Sequence, residues 1–316
     1  MRSIVLCVPL LIAGPAFALT PEDIETATFD GFEVPEGQSG LTVKLQVLLD
    51  RSGISPGVVD GYKGGMSESA LRGFEERHGL LVDGILDPEA WSVLIGGDAM
   101  PILMIYTVSA EDVSSLTETI PDNVAEKAKL ERLGYLRVTE RLAERFHMDE
   151  DFLMALNPEA AFDVGGPVWV AAPGDALVAE VSRIEIRKSE RRAVAFDAMG
   201  WMVTNYPVAI GSAATPSPEG VVEVVAVAMD PTYSYLPDIN FVVDGVTEAL
   251  ILPPGPNGPV GSVWIDLSKP TYGLHGTDTP AALFQAASRG CVRFTNWDVE
   301  ELAHLVKPGV SVEFLE

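Results

Sequence analysis

The chain has 316 residues, of which 47% are hydrophobic and 21% are charged, and its formal net charge is -25 at pH 7. A chain this acidic repels a polyanion, so we expect no nucleic-acid partner. The apolar content excludes a disordered chain, and a total of two cysteines excludes a disulfide scaffold or a cysteine-rich zinc site. The length favours about two domains.

The first 18 residues have the pattern of a secretory signal peptide. Arg2 precedes an apolar run over residues 4–12, and residues 16–18 read Ala-Phe-Ala, the small-x-small pattern of a cleavage site. The run is too short to span a bilayer. We therefore expect an exported, periplasmic protein that is cut after Ala18 and has no transmembrane segment in its mature form.

Removal of these residues would leave Cys291 as the single cysteine, because Cys7 lies within the apolar run. An unpaired thiol is unusual in an oxidising compartment. It is either a small buried hydrophobe or a nucleophile, and the residues around it decide between these interpretations.

Residues 40–97 follow a polar linker over residues 19–39 and carry the pattern of three short helices separated by Asp-Gly turns. Gly79 ends the second helix, and Asp87 followed by Pro88 begins the third. These spaced features resemble the peptidoglycan-binding type 1 domain, which implies a wall-binding module. The residues that carry the resemblance are Leu45-Gln46, Gly57 to Gly61, Gly79-Leu80 to Gly84, and Trp91.

Residues 98–177 contain a second pattern, with two short helices over residues 139–147 and 149–156 and a strand near residues 168–170. A helix pair that closes on Asn-Pro before a strand is similar to a LysM-like module, another wall-binding type. Residues 109–132 would be an insertion in it. We expect a small LysM-like α/β segment here.

From about residue 180 the sequence is dominated by short β-rich runs separated by glycine and proline clusters. This pattern predicts a mainly β domain over residues 180–316, built as a sandwich or an open barrel. Residues 228–262 are too long for an ordinary connection and are expected to form a lid or part of a substrate cleft. The whole chain is therefore predicted to be a multidomain α+β protein.

The candidate catalytic residues lie in two short stretches near the end of the chain. His275 ends an apolar strand-like segment, and Cys291 follows a glycine turn. Roughly a few per cent of a cysteine thiol is ionised at neutral pH. A nucleophilic cysteine therefore needs either an imidazolium partner or a general base. Arg293 adds positive potential to this site. Main-chain N–H groups around Gly290 and Cys291 are candidates for an oxyanion hole, and Ser288 is expected to shape the turn.

These stretches resemble the catalytic motif of the YkuD-type L,D-transpeptidases, and the resemblance covers residues 180–316. Two upstream turns, at residues 216–220 and 257–261, are similar to further turns of the family, although Ser217 and an added proline depart from its pattern. The residues that carry the main resemblance are His275-Gly276-Thr277 and Ser288-Arg289-Gly290-Cys291-Val292-Arg293.

The resemblance implies a two-step acyl transfer on peptidoglycan stem peptides, without a metal or nucleotide cofactor. Cys291 attacks the carbonyl before the terminal D-Ala of a tetrapeptide stem, and His275 gives a proton to the leaving D-Ala. An amine of a second stem then resolves the thioester as a 3-3 cross-link. The resemblance also implies that the backbone carbonyl of Gly276 orients the imidazole, and that Arg289 and Arg293 bind a stem carboxylate or steady the loop.

The sequence leaves the acyl acceptor open. Water as acceptor would make the protein an L,D-carboxypeptidase or endopeptidase, and a lysine of an outer-membrane lipoprotein would make it a protein-anchoring enzyme. A wall-binding protein without catalysis would be expected to have lost Cys291 or His275, and both are present.

Overall fold

The structure is a computed structural model that describes residues 19–96, 99–237, 246–285 and 287–316. The predicted signal peptide over residues 1–18 lies outside these ranges. Within them, no helix is long and apolar enough to cross a membrane. The helices are α1 (Pro21–Glu25), α2 (Gly40–Arg51), α3 (Gly65–His78), α4 (Pro88–Ile95), α5 (Ala110–Val113), α6 (Val124–Lys127), α7 (Val138–Arg145), α8 (Glu150–Leu156) and α9 (Asn296–Leu305), with a 3-10 turn at Pro280–Ala282.

The strands lie mainly in the second half of the chain, as the β-rich pattern predicts. They are β1 (Leu103–Thr107), β2 (Pro167–Ala171), β3 (Arg183–Arg187), β4 (Arg192–Phe196), β5 (Met202–Pro207), β6 (Gly220–Met229), β7 (Tyr233–Tyr235), β8 (Leu250–Leu252), β9 (Val263–Leu267), β10 (Gly273–His275), β11 (Val292–Arg293) and β12 (Ser311–Leu315).

Helices α2, α3 and α4 form the predicted helical region near the N-terminus, and their ends follow from local sequence. The Ser39 hydroxyl accepts a main-chain hydrogen bond at the start of α2. Gly79 ends α3 in the left-handed conformation, at φ 68°. Asp87 caps α4 directly before Pro88. The helical character predicted for this region is confirmed.

The segment after these helices, over residues 99–177, is called the middle segment and consists of β1, helices α5 to α8 and β2, with β1 and β2 paired antiparallel. Helices α5 and α6 fall within the predicted insertion over residues 109–132, and α7 and α8 follow it. The Asn157 amide fixes the end of α8 against β2, because it donates to the Leu153 and Trp169 carbonyls and accepts from the Trp169 N–H at 2.6 Å. The LysM-like interpretation of this segment stays a prediction.

The C-terminal domain is built on an eight-stranded sheet in the order β11-β10-β9-β6-β12-β3-β4-β5. Its two ends meet, since Ala209, just beyond β5, exchanges two backbone hydrogen bonds of 2.9 Å with Arg293 of β11. The sheet is therefore curled, which confirms the mainly β domain in its open-barrel form. Its buried core includes Ile184, Ile186, Val263, Ile265, Leu274, Val292, Phe294, Leu302 and Val312.

Part of the predicted lid over residues 228–262 is ordinary secondary structure. Strands β7 and β8 pair antiparallel, with Tyr233 opposite Leu252. Tyr235 and Leu252 are buried in a small core with Val124 and Leu133 of the middle segment. The residues between the two strands fall partly outside the described ranges, and a lid function stays a prediction.

The N-terminal helical region is bonded directly to the edge strand β5. Ser55, in the loop after α2, donates its N–H to the Asn205 carbonyl at 2.9 Å, and Asn205 donates its N–H to the Gly53 carbonyl at 3.0 Å. Arg192 is 1% exposed and donates to the Asn205 side chain and main chain and to the Ser55 carbonyl at 3.0 Å. The loop thus covers an otherwise open sheet edge.

Arg192→Ala is expected to lower the free energy of unfolding by about 3 kcal/mol or more, because two buried carbonyls and a buried amide lose their donor. The matched control is Arg132→Ala. Arg132 pairs with Asp230 while both side chains are nearly half exposed, so its loss should cost below about 1 kcal/mol. Urea denaturation of both variants measures the difference, and equal losses would show that the buried guanidinium does not hold the two regions together.

Candidate active site

The curled sheet brings the two catalytic stretches side by side. Strands β10 and β11 are parallel, with Leu274 opposite Val292 and His275 opposite Arg293. Cys291 directly precedes β11 and therefore lies beside Gly273. Because side chains alternate along a strand, His275 projects from the same face as Gly273, and this is the face that Cys291 and Arg293 occupy.

His275 is 5% exposed, and its ring is fixed by its own neighbour. Nδ1 lies 2.7 Å from the Gly276 carbonyl oxygen. Because a carbonyl only accepts, Nδ1 must carry the proton, and the lone pair is on Nε2. Burial lowers the pKa of His275 to about 4, and the Arg293 charge acts in the same direction against the Gly276 hydrogen bond. The imidazole is therefore neutral at pH 7.

The Cys291 thiol is half-buried and lies 3.7 Å from the carbonyl oxygen of Thr271. Burial raises the pKa of this thiol, while the Gly273 N–H and the Arg293 charge oppose the shift. A neutral thiol on the same sheet face as a neutral imidazole favours general-base activation over a preformed thiolate–imidazolium pair.

The turn before Cys291 is held together from within. Ser288 is 2% exposed, and its hydroxyl donates to the Cys291 carbonyl and accepts from the Gly290 N–H at 3.1 Å. Gly290 has φ 111°, and a Cβ there would come within 2.8 Å of the Tyr272 ring. The Gly290 N–H is thus engaged inside the turn, so an oxyanion donor is better sought at the Cys291 N–H.

The two predicted arginines occupy different places. Arg293 is half-buried beside the thiol, and its charge acts on the pKa of both Cys291 and His275. Arg289 is exposed at the rim of the site. Burial raises the pKa of Tyr233, and the Arg289 charge opposes this shift. Among the residues that the structure describes, no group of three or more His, Cys, Asp or Glu side chains is arranged to hold a metal ion.

Trp264 lies at the site, although no sequence motif identifies it as a site residue. It lies opposite His275 on β9, and the two rings stack with centroids 5.7 Å apart and planes 21° apart. The indole N–H donates to Asp266 at 3.2 Å, and the ring covers Gly273, where a Cβ would lie 2.5 Å from an indole carbon. The alternating pattern of β9 indicates only that Trp264 is a half-buried strand residue, and nothing in the sequence indicates that it stacks on His275.

Comparison with protein families shows what this part of the chain is similar to. Residues 182–313 match the YkuD family, described as "L,D-transpeptidase catalytic domain". Residues 38–94 match a second family, described as "Putative peptidoglycan binding domain". The resemblances of residues 180–316 and 40–97 are thereby confirmed.

Two bacterial relatives carry the name "Putative L,D-transpeptidase YkuD". The protein of Bacillus licheniformis is 37% identical over 111 residues, which are 35% of this chain and 52% of that protein. The protein of Bacillus subtilis is 51% identical over 57 residues, or 18% of this chain and 35% of that protein. The chain thus spans about half or less of the length of these relatives.

Among solved structures, the L,D-transpeptidase of Xylanimonas cellulosilytica is 15% identical, with 90% of this chain and 95% of that chain covered. The TM-score is 0.38, which is too low to bear on function.

Trp264→Ala is expected to raise the pKa of His275 from about 4 towards its ordinary value by roughly one unit or more, because water reaches the uncovered face of the imidazole. Trp264→Phe keeps a ring over the imidazole and should raise the pKa less. A pH titration of the His275 ring followed by NMR measures both. An unchanged pKa in the alanine variant would mean that the indole does not exclude water from His275.

Proposed function

We propose that the protein is a cysteine acyltransferase that forms 3-3 cross-links between peptidoglycan stem peptides. The observation that carries this proposal is the neutral imidazole of His275, whose Nδ1 is held by the Gly276 carbonyl, on the same face of an L,D-transpeptidase catalytic domain as the Cys291 thiol. That arrangement leaves the lone pair on Nε2, which in the proposed mechanism takes the thiol proton.

In the first step, Nε2 of His275 takes the thiol proton while Sγ of Cys291 attacks the carbonyl carbon before the terminal D-Ala of a tetrapeptide stem. The tetrahedral oxyanion is stabilised by the Cys291 N–H and by the charge of Arg293. The C–N bond then breaks, and His275 returns its proton to the departing amine of D-Ala. The product is a thioester on Cys291.

In the second step, the side-chain amine of another stem attacks the thioester carbon and gives a proton to His275. The C–S bond breaks, Cys291 regains its proton, and an amide joins the third residues of two stems. Water or a lipoprotein lysine in place of that amine would give the hydrolytic or the anchoring activity. We propose that the exposed Arg289 contacts the acceptor.

We also propose that the helical region binds the cell wall, as the peptidoglycan-binding family match supports. It contains a groove of about 610 Å³ beside α2 and α3. Bulk charge cannot hold a carboxylate-bearing polymer to a chain of net charge -25, so the groove has to act through shape, apolar contact and local hydrogen bonds. Its lining includes the apolar residues Phe29, Phe32, Leu45, Leu71 and Ile85, the basic residues Lys63 and Arg72, and the acidic residues Glu33, Glu68, Asp83 and Asp87.

Cys291→Ala is expected to abolish release of D-Ala from purified disaccharide-tetrapeptides, because no nucleophile is left. His275→Gln should lower the rate by about 10²- to 10⁴-fold, since general-base help is lost. His304→Gln is the matched control, because His304 is exposed on α9, and it should keep the wild-type rate.

Mass analysis of the products, with and without a lysine-bearing lipoprotein, identifies the acceptor. Cross-linked dimers support the transpeptidase, free tripeptides the carboxypeptidase, and lipoprotein adducts the anchoring enzyme. D-Ala release that persists in Cys291→Ala would contradict the mechanism.

Substitution within the groove should separate wall binding from catalysis. Phe32 is 76% exposed and Ile85 65% exposed, so Phe32→Ser and Ile85→Asp are expected to weaken co-sedimentation with sacculi severalfold, at roughly 1 kcal/mol for each lost apolar contact, with turnover of soluble muropeptides unchanged. Val178→Asp, at a 99% exposed residue outside the groove, is the control. Groove variants that sediment like this control would argue against the groove as the wall-binding site.

A further inference from the structure

We propose that Glu144, on α7 of the middle segment, is a positioning residue for His275 and acts through Asn296. The inference deepens the proposed function, because it assigns part of the catalytic scaffold to a segment outside the L,D-transpeptidase domain. It stands on a chain of contacts that leads from the imidazole to the α7 carboxyl.

The first link is the backbone that holds the imidazole. The Gly276 carbonyl accepts from Nδ1 of His275, and the Gly276 N–H donates to the Val260 carbonyl at 3.1 Å. Gly276 and Gly261 both lie against the side chain of Asn296, since a Cβ on either would come within 2.1 Å of Oδ1. The peptide that orients His275 therefore rests directly on the Asn296 amide, with no room between them.

The second link is the orientation of that amide, which is 2% exposed. Its Oδ1 accepts from the Ser262 N–H at 3.1 Å. Its Nδ2 donates to both carboxyl oxygens of Glu144, at 2.9 and 3.2 Å, and to the Pro256 carbonyl at 3.3 Å. Burial raises the pKa of Glu144 to about 8, against the hydrogen bonds from Asn296 and Tyr135. Because an amide NH₂ only donates, its two bonds to the Glu144 carboxyl hold Nδ2 on that side and Oδ1 towards Ser262 and the two glycines.

The third link is the burial of Glu144 itself. The residue is 7% exposed, and the Tyr135 hydroxyl also donates to its carboxyl at 3.1 Å. A buried carboxyl is costly unless its oxygens are hydrogen-bonded. A segment that served only as a tether to the wall would not need to place such a group behind the catalytic histidine.

The same part of the middle segment also holds the loop on which Gly276 rests. Leu133 donates its N–H to the Pro254 carbonyl at 2.8 Å and accepts from the Asn257 N–H at 3.0 Å. The Asn257 side chain donates to Glu140 at 2.6 Å. Gly255 packs so closely on the Leu133 carbonyl that a Cβ would lie 2.1 Å from its oxygen. The middle segment thus forms the support behind the loop.

Glu144→Leu removes both acceptors while it keeps a side chain of similar size. We expect kcat for D-Ala release to fall about tenfold to a hundredfold with little change in KM, as for a misplaced catalytic group. Alkylation of Cys291 by iodoacetamide at pH 7 should slow in parallel. Glu144→Gln keeps an acceptor for Asn296 and should stay within about threefold of wild type in both rates.

The control is Glu131→Leu, because Glu131 is an exposed acid of the same segment, and it should leave both rates unchanged. The Nδ1–H resonance of His275 gives a direct readout of position. It should be shifted or broadened in the leucine variant and retained in the glutamine variant. Wild-type kcat, alkylation rate and Nδ1–H resonance in a folded Glu144→Leu would overturn the proposal.

If Glu144→Leu does not fold, Glu144→Asp decides, because it withdraws the carboxyl by one methylene group and keeps the same functional group. Slower alkylation in Glu144→Asp than in Glu144→Gln supports the proposal, and wild-type rates in Glu144→Asp overturn it. Alkylation needs no stem peptide. The alkylation rates can therefore differ between the variants as expected while no protein, wild type included, releases D-Ala. That result would contradict the proposed function and would leave the positioning role of Glu144 intact.

Discussion

The hydrogen bond between Nδ1 of His275 and the carbonyl of Gly276 is the constraint on which the candidate site depends. It joins neighbouring residues, so it fixes the tautomer without a third side chain, but only if the Gly276 peptide keeps one orientation. A side chain at position 276 would collide with Asn296. The glycine thus lets the peptide pack directly against the Asn296 amide, and the orientation of the imidazole depends on the residues that hold this amide in place.

A second consequence concerns charge. Burial dominates the pKa of both reacting groups, so His275 is kept neutral and Cys291 is kept protonated. His275 and Cys291 therefore form no buried ion pair, which avoids the desolvation cost that such a pair would carry. Under the proposed mechanism, charge develops only during attack, close to Arg293. The curl of the sheet provides this geometry, because Ala209 bonds to Arg293 and joins the two ends.

The features that can be predicted from the sequence are those that depend on residues close together in the chain. Caps and turns define helices α2 to α4, and the motif around Cys291 and His275 identifies the catalytic domain. Trp264 and Glu144 escape prediction because their contacts join segments far apart in the chain. Glu144 resembles a surface acid on a short amphipathic helix, and nothing in its neighbours marks it as buried. The LysM-like interpretation rests on a pattern of the same local kind and has no comparable support.

The net charge of -25 also bears on where a wall polymer can touch this molecule. Stem peptides carry carboxylates, so most of an acidic surface repels them, and contact is favoured where positive charge stands beside apolar surface. Under the proposed function, the exposed Arg289 provides this charge at the rim of the site. The groove of the helical region does not, because its lining carries Glu33, Glu68, Asp83 and Asp87 together with Lys63 and Arg72. Binding in the groove therefore has to rest on shape, apolar contact and local hydrogen bonds rather than on net positive charge.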